Sequence, residues 1–313
     1  MLGEVMKLLP RYPIFIPSKG RASLTLTAPC LQKDDVPFTL VVAPMEVEAY
    51  AAKWGREHVL SLPANGMDIV GARNWIRDYS VARGDVRHWQ LDDDLSAFYR
   101  RYKGKRLYCD ASVALRVCED FTDRYENVAL SGLNYSMFLP DVRKFGPFNA
   151  NCHVYSCTLV LNEIPYRWRG PYNDDTDMCL QVLSGGWCTI LINCFCVATP
   201  KTMEMKGGMT DSNENSYRGD GRLKMARTLE RRWPGVVTTR RRFQRPQHVV
   251  KANWAYFDTP LRLKPGINLG SLAANEYDLE LVSVKETQSD RLKGFVSDWA
   301  AEHEPTLGAG DAS

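Results

Sequence analysis

RHWQLDDDL, residues 87–95, reads as an apolar strand that runs straight into three adjacent carboxylates. The sequence before it repeats one theme. PIFIP (13–17), FTLVVAP (38–44) and HVLSLP (58–63) are short apolar runs of strand length. EVEAYAAKWG (46–55) lies between two of them and reads as a helix ended by Gly55. GARNWIRDYSVARG (71–84) carries Ala72, Trp75, Ile76, Tyr79 and Ala82 close to helical spacing. Strands joined by helices predict a mainly parallel α/β sheet, in which ligands bind beyond the carboxyl ends of the strands. The turn SKGRA (18–22) after the first strand and the aspartates after RHWQL both fall at that edge.

The pattern continues downstream. A helix is predicted over 110–125, where Val113, Val117, Phe121 and Tyr125 form one apolar face. VALSGLNYSM and NCHVYSCTLVLN read as strands, a short helix spans 176–183 before Gly185 and Gly186, and CTILINCFCVA (188–198) is a buried strand. KTMEMKGGMTDSNENS (201–216) reads as a flexible loop, followed by a basic helix, an irregular aromatic segment and an acidic tail with a frayed end. We expect a catalytic core over 12–200, an acceptor-side loop and basic segment over 201–269 packed on it, and a tail over 270–313.

Composition narrows the class. The 313 residues carry a formal charge of +3, with 25% charged and 44% hydrophobic residues, as in an ordinary globular protein. Thirty-three aromatics spread along the chain argue against long disorder. No apolar run approaches the roughly 18 residues of a membrane span. The first residues show no secretory signal, so the cytoplasm is expected, that of an infected bacterium if the gene is a phage's. Nine cysteines at irregular spacing read as buried reduced thiols, and five isolated histidines make a zinc hydrolase a poor fit. Residues 218–251 hold 11 basic against 2 acidic residues (+9), and residues 270–313 hold 3 against 9 (−6). Arg240, Arg241, Arg242 and Arg245, with Trp233 and Phe243 among the arginines, suit a phosphate backbone with stacked bases. The plainer alternative is a solvated helix face and a basic loop.

Three features carry chemistry. Asp92 and Asp94, alternate positions of an extended chain, offer hard oxygens to Mg²⁺ or Mn²⁺. Alternatively Asp94 caps a helix formed by LSAFYRRY. Asp174, Asp175 and Asp177 open a helix, which accounts for one carboxylate but not three, so one of them could serve as a general base. Lys19, Arg21 and Arg73 could neutralise a diphosphate. Together these features suit an anionic nucleotide substrate bridged by a metal ion.

The order IPSKGRA, VVAPME, GARN, QLDDDL and NDDTDMCLQVLSGGW resembles a GT-A glycosyltransferase. IPSKGR, VVAPMEVEAY and KGGMTD are similar, more narrowly, to the TET/JBP-associated glycosyltransferases, encoded largely by bacteriophages and their relatives. The resemblance covers roughly residues 12–245. It implies a Rossmann-like, mainly parallel sheet flanked by helices, with a C-terminal extension. It also implies a UDP-sugar donor and an Asp-x-Asp metal motif at Asp92 and Asp94. Asp93 would lie near the donor sugar or ribose, Arg73 by the diphosphate, and Asp174 with Asp175 would form the second acidic motif, Asp175 being the base. The implied acceptor is the hydroxyl of a modified DNA base, most plausibly 5-hydroxymethylcytosine, approaching along Gly207–Met209 and the arginines. Many such enzymes add a later histidine as third metal ligand. None occurs between His153 and His248, so Asp211 or water would substitute. A protein-acceptor glycosyltransferase, a metal-dependent phosphotransferase or nuclease, and a non-catalytic nucleic-acid-binding module are the competing readings.

Overall fold

The structure is a computed structural model that describes residues 8–102, 105–140, 145–200, 206–207, 221–242 and 244–268. The chain divides into two compact units. The first contains the expected alternation: β1 (Ile14–Pro17), α1 (Thr27–Lys33), β2 (Thr39–Val42), α2 (Val47–Trp54), β3 (Val59–Ser61), α3 (Ile69–Ala82) and β4 (Arg87–Leu91). It continues with β5 (Ala97–Tyr102), β6 (Lys105–Tyr108), α4 (Ala111–Thr122), β7 (Val128–Tyr135), β8 (Phe148–Ala150), β9 (Cys157–Leu161), α5 (Asp174–Ser184) and β10 (Cys188–Ala198).

These strands form one sheet in the order β3-β2-β1-β4-β9-β7-β10-β5-β6, with β8 also on β10. β1 to β4 pair in parallel, as do β7 and β10. β9 is inserted antiparallel between β4 and β7, in the registers Leu91↔Cys157 and Gly132↔Thr158. The continuous apolar runs follow from burial on both faces. On β1, Ile14 and Ile16 enter the large core with Trp89, Leu91, Leu115 and Cys118, while Phe15 packs on the other face with Val41, Ala72 and Ile76. α3 begins where Asp68 accepts the Gly71 N–H at 2.7 Å, and it buries Ala72 and Ile76 against that second face. All nine cysteines are free thiols.

One expectation is overturned beside the aspartates. LSAFYRRY forms no helix for Asp94 to cap. It forms β5, whose residues from Ala97 to Arg100 pair antiparallel with Ala198 to Phe195 of β10. Edge pairing on a long apolar strand outweighs the helical reading of a segment that fits either period.

The second unit holds α6 (Gly221–Arg232) and a hairpin of β11 (Val237–Arg242) and β12 (Arg245–Val250). Its apolar contribution is small: Met225, Ala226 and Leu229 of the helix and Val237 and Val250 of the hairpin are buried. The stretch expected to be irregular is therefore a two-stranded ribbon in register from Val237↔Val250 to Arg242↔Arg245. Residues 257–268 belong to the first unit, where the Asn127 and Asn151 amides donate to Pro260 O (2.9 Å) and Thr259 O (2.7 Å). The tail over 270–313 lies outside the described residues.

His88 on β4 is fully buried and held neutral. Its Nδ1 meets Asn162 Oδ1 at 2.6 Å, and Nε2 accepts from Gln90 Nε2 at 2.9 Å. Burial pushes its pKa down to about 4, against a weaker upward pull from Asn162. The unfolded chain binds this proton near pH 6.5, so it holds more protons than the fold between the two values. Stability should be full above pH 6.5 and fall by about 3 kcal/mol as the pH drops to 4. Urea titrations across that range should show the slope, and His88→Gln should flatten it.

Candidate active site at the carboxyl edge of the sheet

The carboxyl end of β4 carries Asp92, Asp93 and Asp94 as a short turn. Asp93 is turned inward and buried. Its Oδ1 meets Arg21 Nη1 at 2.5 Å and its Oδ2 accepts from Ser18 Oγ at 2.5 Å. Because Ser18 donates there, the Tyr50 hydroxyl donates to Ser18 Oγ (2.7 Å), and it accepts the Arg21 N–H (3.0 Å). Arg21 continues to the carbonyls of Lys206 (2.9 Å) and Gly207 (3.2 Å). Gly207 sits at φ +83, and a Cβ there would lie 2.8 Å from Arg21 Cγ. Arg21 thus ties the first turn, the second aspartate and the start of the KGGMTD loop together. Gly208, Met209 and Asp211 lie outside the described residues, as does Phe243. Lys19 beside it is exposed and forms no ion pair among the described residues.

Asp92 points to the opposite side. Arg73, on the second turn of α3, donates from Nη2 to Asp92 Oδ1 (2.8 Å) and from Nη1 to Asp174 Oδ2 (2.7 Å). Its side chain is 12% exposed. The two acidic groups, 82 residues apart in sequence, are therefore joined through a single buried guanidinium (174 − 92). Burial would lower the Arg73 pKa, but Asp174, Asp92 and Asp175 reverse this and hold it firmly charged. Asp174 itself is pushed up by burial, with Arg73 opposing.

Asp175 is differently placed. Its Oδ2 lies 3.1 Å from His153 Nε2, and its Oδ1 accepts the Thr176 N–H at 2.7 Å. Burial would raise its pKa, yet His153, Arg73 and the Thr176 amide outweigh that and hold it well below the usual carboxylate range. It is therefore held ionised. Asp177, by contrast, is fully buried against Arg169 (2.7 Å) and Gln181 (2.9 Å), an anchor for the helix.

β9 brings His153 here. Its antiparallel register sets Ser156 O on the Asp92 N–H at 2.7 Å, so residues 153–156 run beside the aspartates. Gly132 of β7 permits the approach, since a Cβ there would sit 2.2 Å from Cys157 O and 2.8 Å from Val154 Cγ1. Tyr135, at the end of β7, bonds Ser156 Oγ. Burial and then the charge of Asp92 push its phenol far above its ordinary range. Neither His153 nor Tyr135 stands out in the sequence: the histidine's partner is 22 residues further on (175 − 153), and the antiparallel strand that aligns them leaves no periodic signal.

A divalent cation fits this donor set. Asp94 Oδ1 is buried without a hydrogen-bond partner. Burial and the neighbouring Asp92 and Asp93 push the Asp94 pKa up to about 7, the mark of uncompensated negative charge. Both features suit a hard cation that takes one or two carboxylates and completes its shell with phosphate oxygens or water. Among the described residues, no three Asp, Glu, His or Cys side chains form a ready cage.

In the second unit, Arg240, Arg241 and Arg245 are exposed and unpaired among the described residues, and Arg242 is half-buried. Arg242 and Arg245 face each other across the ribbon, a like-charge pair that an anion would relieve. A groove of about 550 Å³ between α6 and the ribbon is lined by Arg227, Arg240 and Arg241, with Glu230 as its acid.

The TET-Associated Glycosyltransferase profile matches residues 12–208. Among solved structures, the chain is similar to the A197 protein from STIV, at 13% identity and TM-score 0.37, covering 60% of this chain and 84% of that one. It is also similar to a protein from Desulfovibrio desulfuricans G20 provisionally assigned as a nucleotide-diphospho-sugar transferase. That match has 10% identity and TM-score 0.39, covering 72% of this chain and 99% of that one. Likenesses this distant say nothing about activity. The comparison with curated proteins gives no match. The profile spans most of the chain and takes in the SKGRA turn, the three aspartates, Arg73 and the Asp174–Asp175 pair, so the chain belongs to the TET-associated glycosyltransferase family: it is a glycosyltransferase.

Proposed function

We propose that this glycosyltransferase moves a hexose from a UDP-sugar to the hydroxyl of a modified base in DNA, 5-hydroxymethylcytosine being the acceptor of choice. The observation that carries the reading is the Arg73 bridge, which holds Asp92 of the aspartate turn and the Asp174–Asp175 pair around one edge of the sheet. Asp92 and Asp94 would hold Mn²⁺ or Mg²⁺, which supplies the positive charge that a departing diphosphate needs. Arg73 adds a fixed cation between the two acidic groups, and Lys19 offers a mobile one at the turn. The Arg21–Asp93 pair holds the SKGRA turn in place beside the nucleotide.

Asp175 takes the acceptor proton as the new bond forms between the acceptor oxygen and the anomeric carbon. The bond from that carbon to the diphosphate breaks, and UDP departs with its electron pair. A single displacement inverts the anomeric centre. The depressed pKa of Asp175 means that it is fully ionised before the acceptor arrives, and His153 fixes the direction of its Oδ2. The exposed arginines of the ribbon would hold DNA phosphates. A base in duplex DNA would have to leave its stack to reach the edge. The same reading has the protein act in the cytoplasm, in that of an infected bacterium if phage-encoded.

The test is mass spectrometry of nucleosides from hydroxymethylcytosine DNA incubated with enzyme, Mn²⁺ and a panel of UDP-sugars. A hexose-sized gain on that nucleoside is expected. UDP release without any gain on DNA would move the acceptor elsewhere. Asp175→Asn should lower turnover by about 10²–10⁴-fold with donor affinity retained. Normal turnover in that variant would remove Asp175 from the chemistry. Replacing Arg240, Arg241 and Arg245 by Ala should weaken DNA binding at every sequence and reduce the slope of log K against log salt by roughly 2–3. An unchanged slope would detach the ribbon from DNA.

A further inference from the structure

We propose that the exposed turn after β7 is a stacking platform for the acceptor base, with Phe138 as the residue that receives its flat face. The inference rests on the DNA-base reading above and identifies where that base would lie. A 3-10 turn, Ser136–Phe138, follows β7 at the same carboxyl edge as the aspartates. Its Met137 and Phe138 are 51% and 57% exposed, while Leu139 just after them is buried and anchors the turn.

From Phe138 a line of rings leads to the candidate base. Phe138 meets Tyr155 edge-on at 6.3 Å, Tyr155 meets His153 at 4.9 Å, and His153 holds Asp175 at 3.1 Å. Tyr135 braces the line, 5.9 Å from Phe138 and 4.7 Å from Tyr155. The frame beneath is pinned, because the Tyr155 hydroxyl donates to Asn134 Oδ1 at 2.5 Å and Tyr135 bonds Ser156. Phe138 is the outermost ring of a braced cluster of tilted and edge-on rings.

Charge decides what such a ring receives. Ser156, bonded to Tyr135, gives its carbonyl to the Asp92 N–H at 2.7 Å, and Asp175 meets His153 beside Tyr155, so the inner side of the ring line is bordered by carboxylates. An uncharged planar heterocycle suits it, with its hydroxyl turned inward towards Asp175 and its backbone phosphates kept outside. Stacking on an aromatic ring tolerates any base, so selectivity would come from the hydroxyl that must reach the carboxylate.

Steady-state kinetics on hydroxymethylcytosine DNA tests the platform. Phe138→Ala should raise the acceptor KM by about ten- to a hundredfold, with the donor KM moving much less. Phe138→Leu, which keeps apolar area without a flat ring, should behave like Ala, and Phe138→Tyr should restore wild-type behaviour. Tyr108→Ala removes a still more exposed ring, on β6, and should leave the acceptor KM unchanged. With transfer to DNA established in the wild type, an unchanged acceptor KM in Phe138→Ala, or full rescue by Leu, overturns the platform alone. Absence of transfer to DNA by the wild type with every donor overturns the acceptor reading, and the platform with it.

Discussion

A single guanidinium organises this site. Arg73 reaches from α3 to Asp92 at the end of β4 and to Asp174 at the start of α5, and it is almost wholly buried between them. Buried charges are stable only when paired and hydrogen-bonded, and removing one partner of such a set is strongly destabilising. Arg73 therefore sets the spacing between the aspartate turn and the second acidic pair, on which any chemistry across them depends. It also separates the roles of two neighbours: Asp174 is consumed in the bridge, while Asp175 is turned to His153. A pair that looks symmetric in sequence is asymmetric in space.

The same division runs through the aspartate triplet. Asp93 is neutralised by Arg21 and Ser18 and serves the turn, Asp92 is shared with Arg73, and Asp94 keeps a buried oxygen without a partner. The chain turns as soon as β4 ends, so the three carboxylates leave it in different directions: the middle one goes to Arg21 and Ser18, and the first to Arg73.

Much of this is legible in the sequence, and the reason is periodicity. β1 and β2 are buried on both faces and so appear as unbroken apolar runs, and α3 and α4 show their stripes. The aspartates are visible because three carboxylates after such a strand have no structural excuse. What is hidden depends on pairing between distant segments. LSAFYRRY becomes a strand only because β10 offers an edge, and the arginine ribbon has too few apolar residues to betray its alternation. His153 looks isolated until antiparallel β9 runs back beside Asp92. The double engagement of Arg73 is equally invisible, since a basic residue on an early helical turn reads as one more surface charge.

The partnerless oxygen of Asp94 has an energetic consequence for the whole chain. A fold that keeps negative charge uncompensated at its working edge gives up stability there. The loss is recovered by whatever binds that edge in the folded state and ignores the unfolded chain, by RT ln(1 + [L]/Kd). Thermal stability of this protein is thus coupled to the occupancy of the aspartate edge. A substitution that relieves the repulsion at Asp94 should therefore make a sturdier protein whose stability no longer responds to what binds that edge.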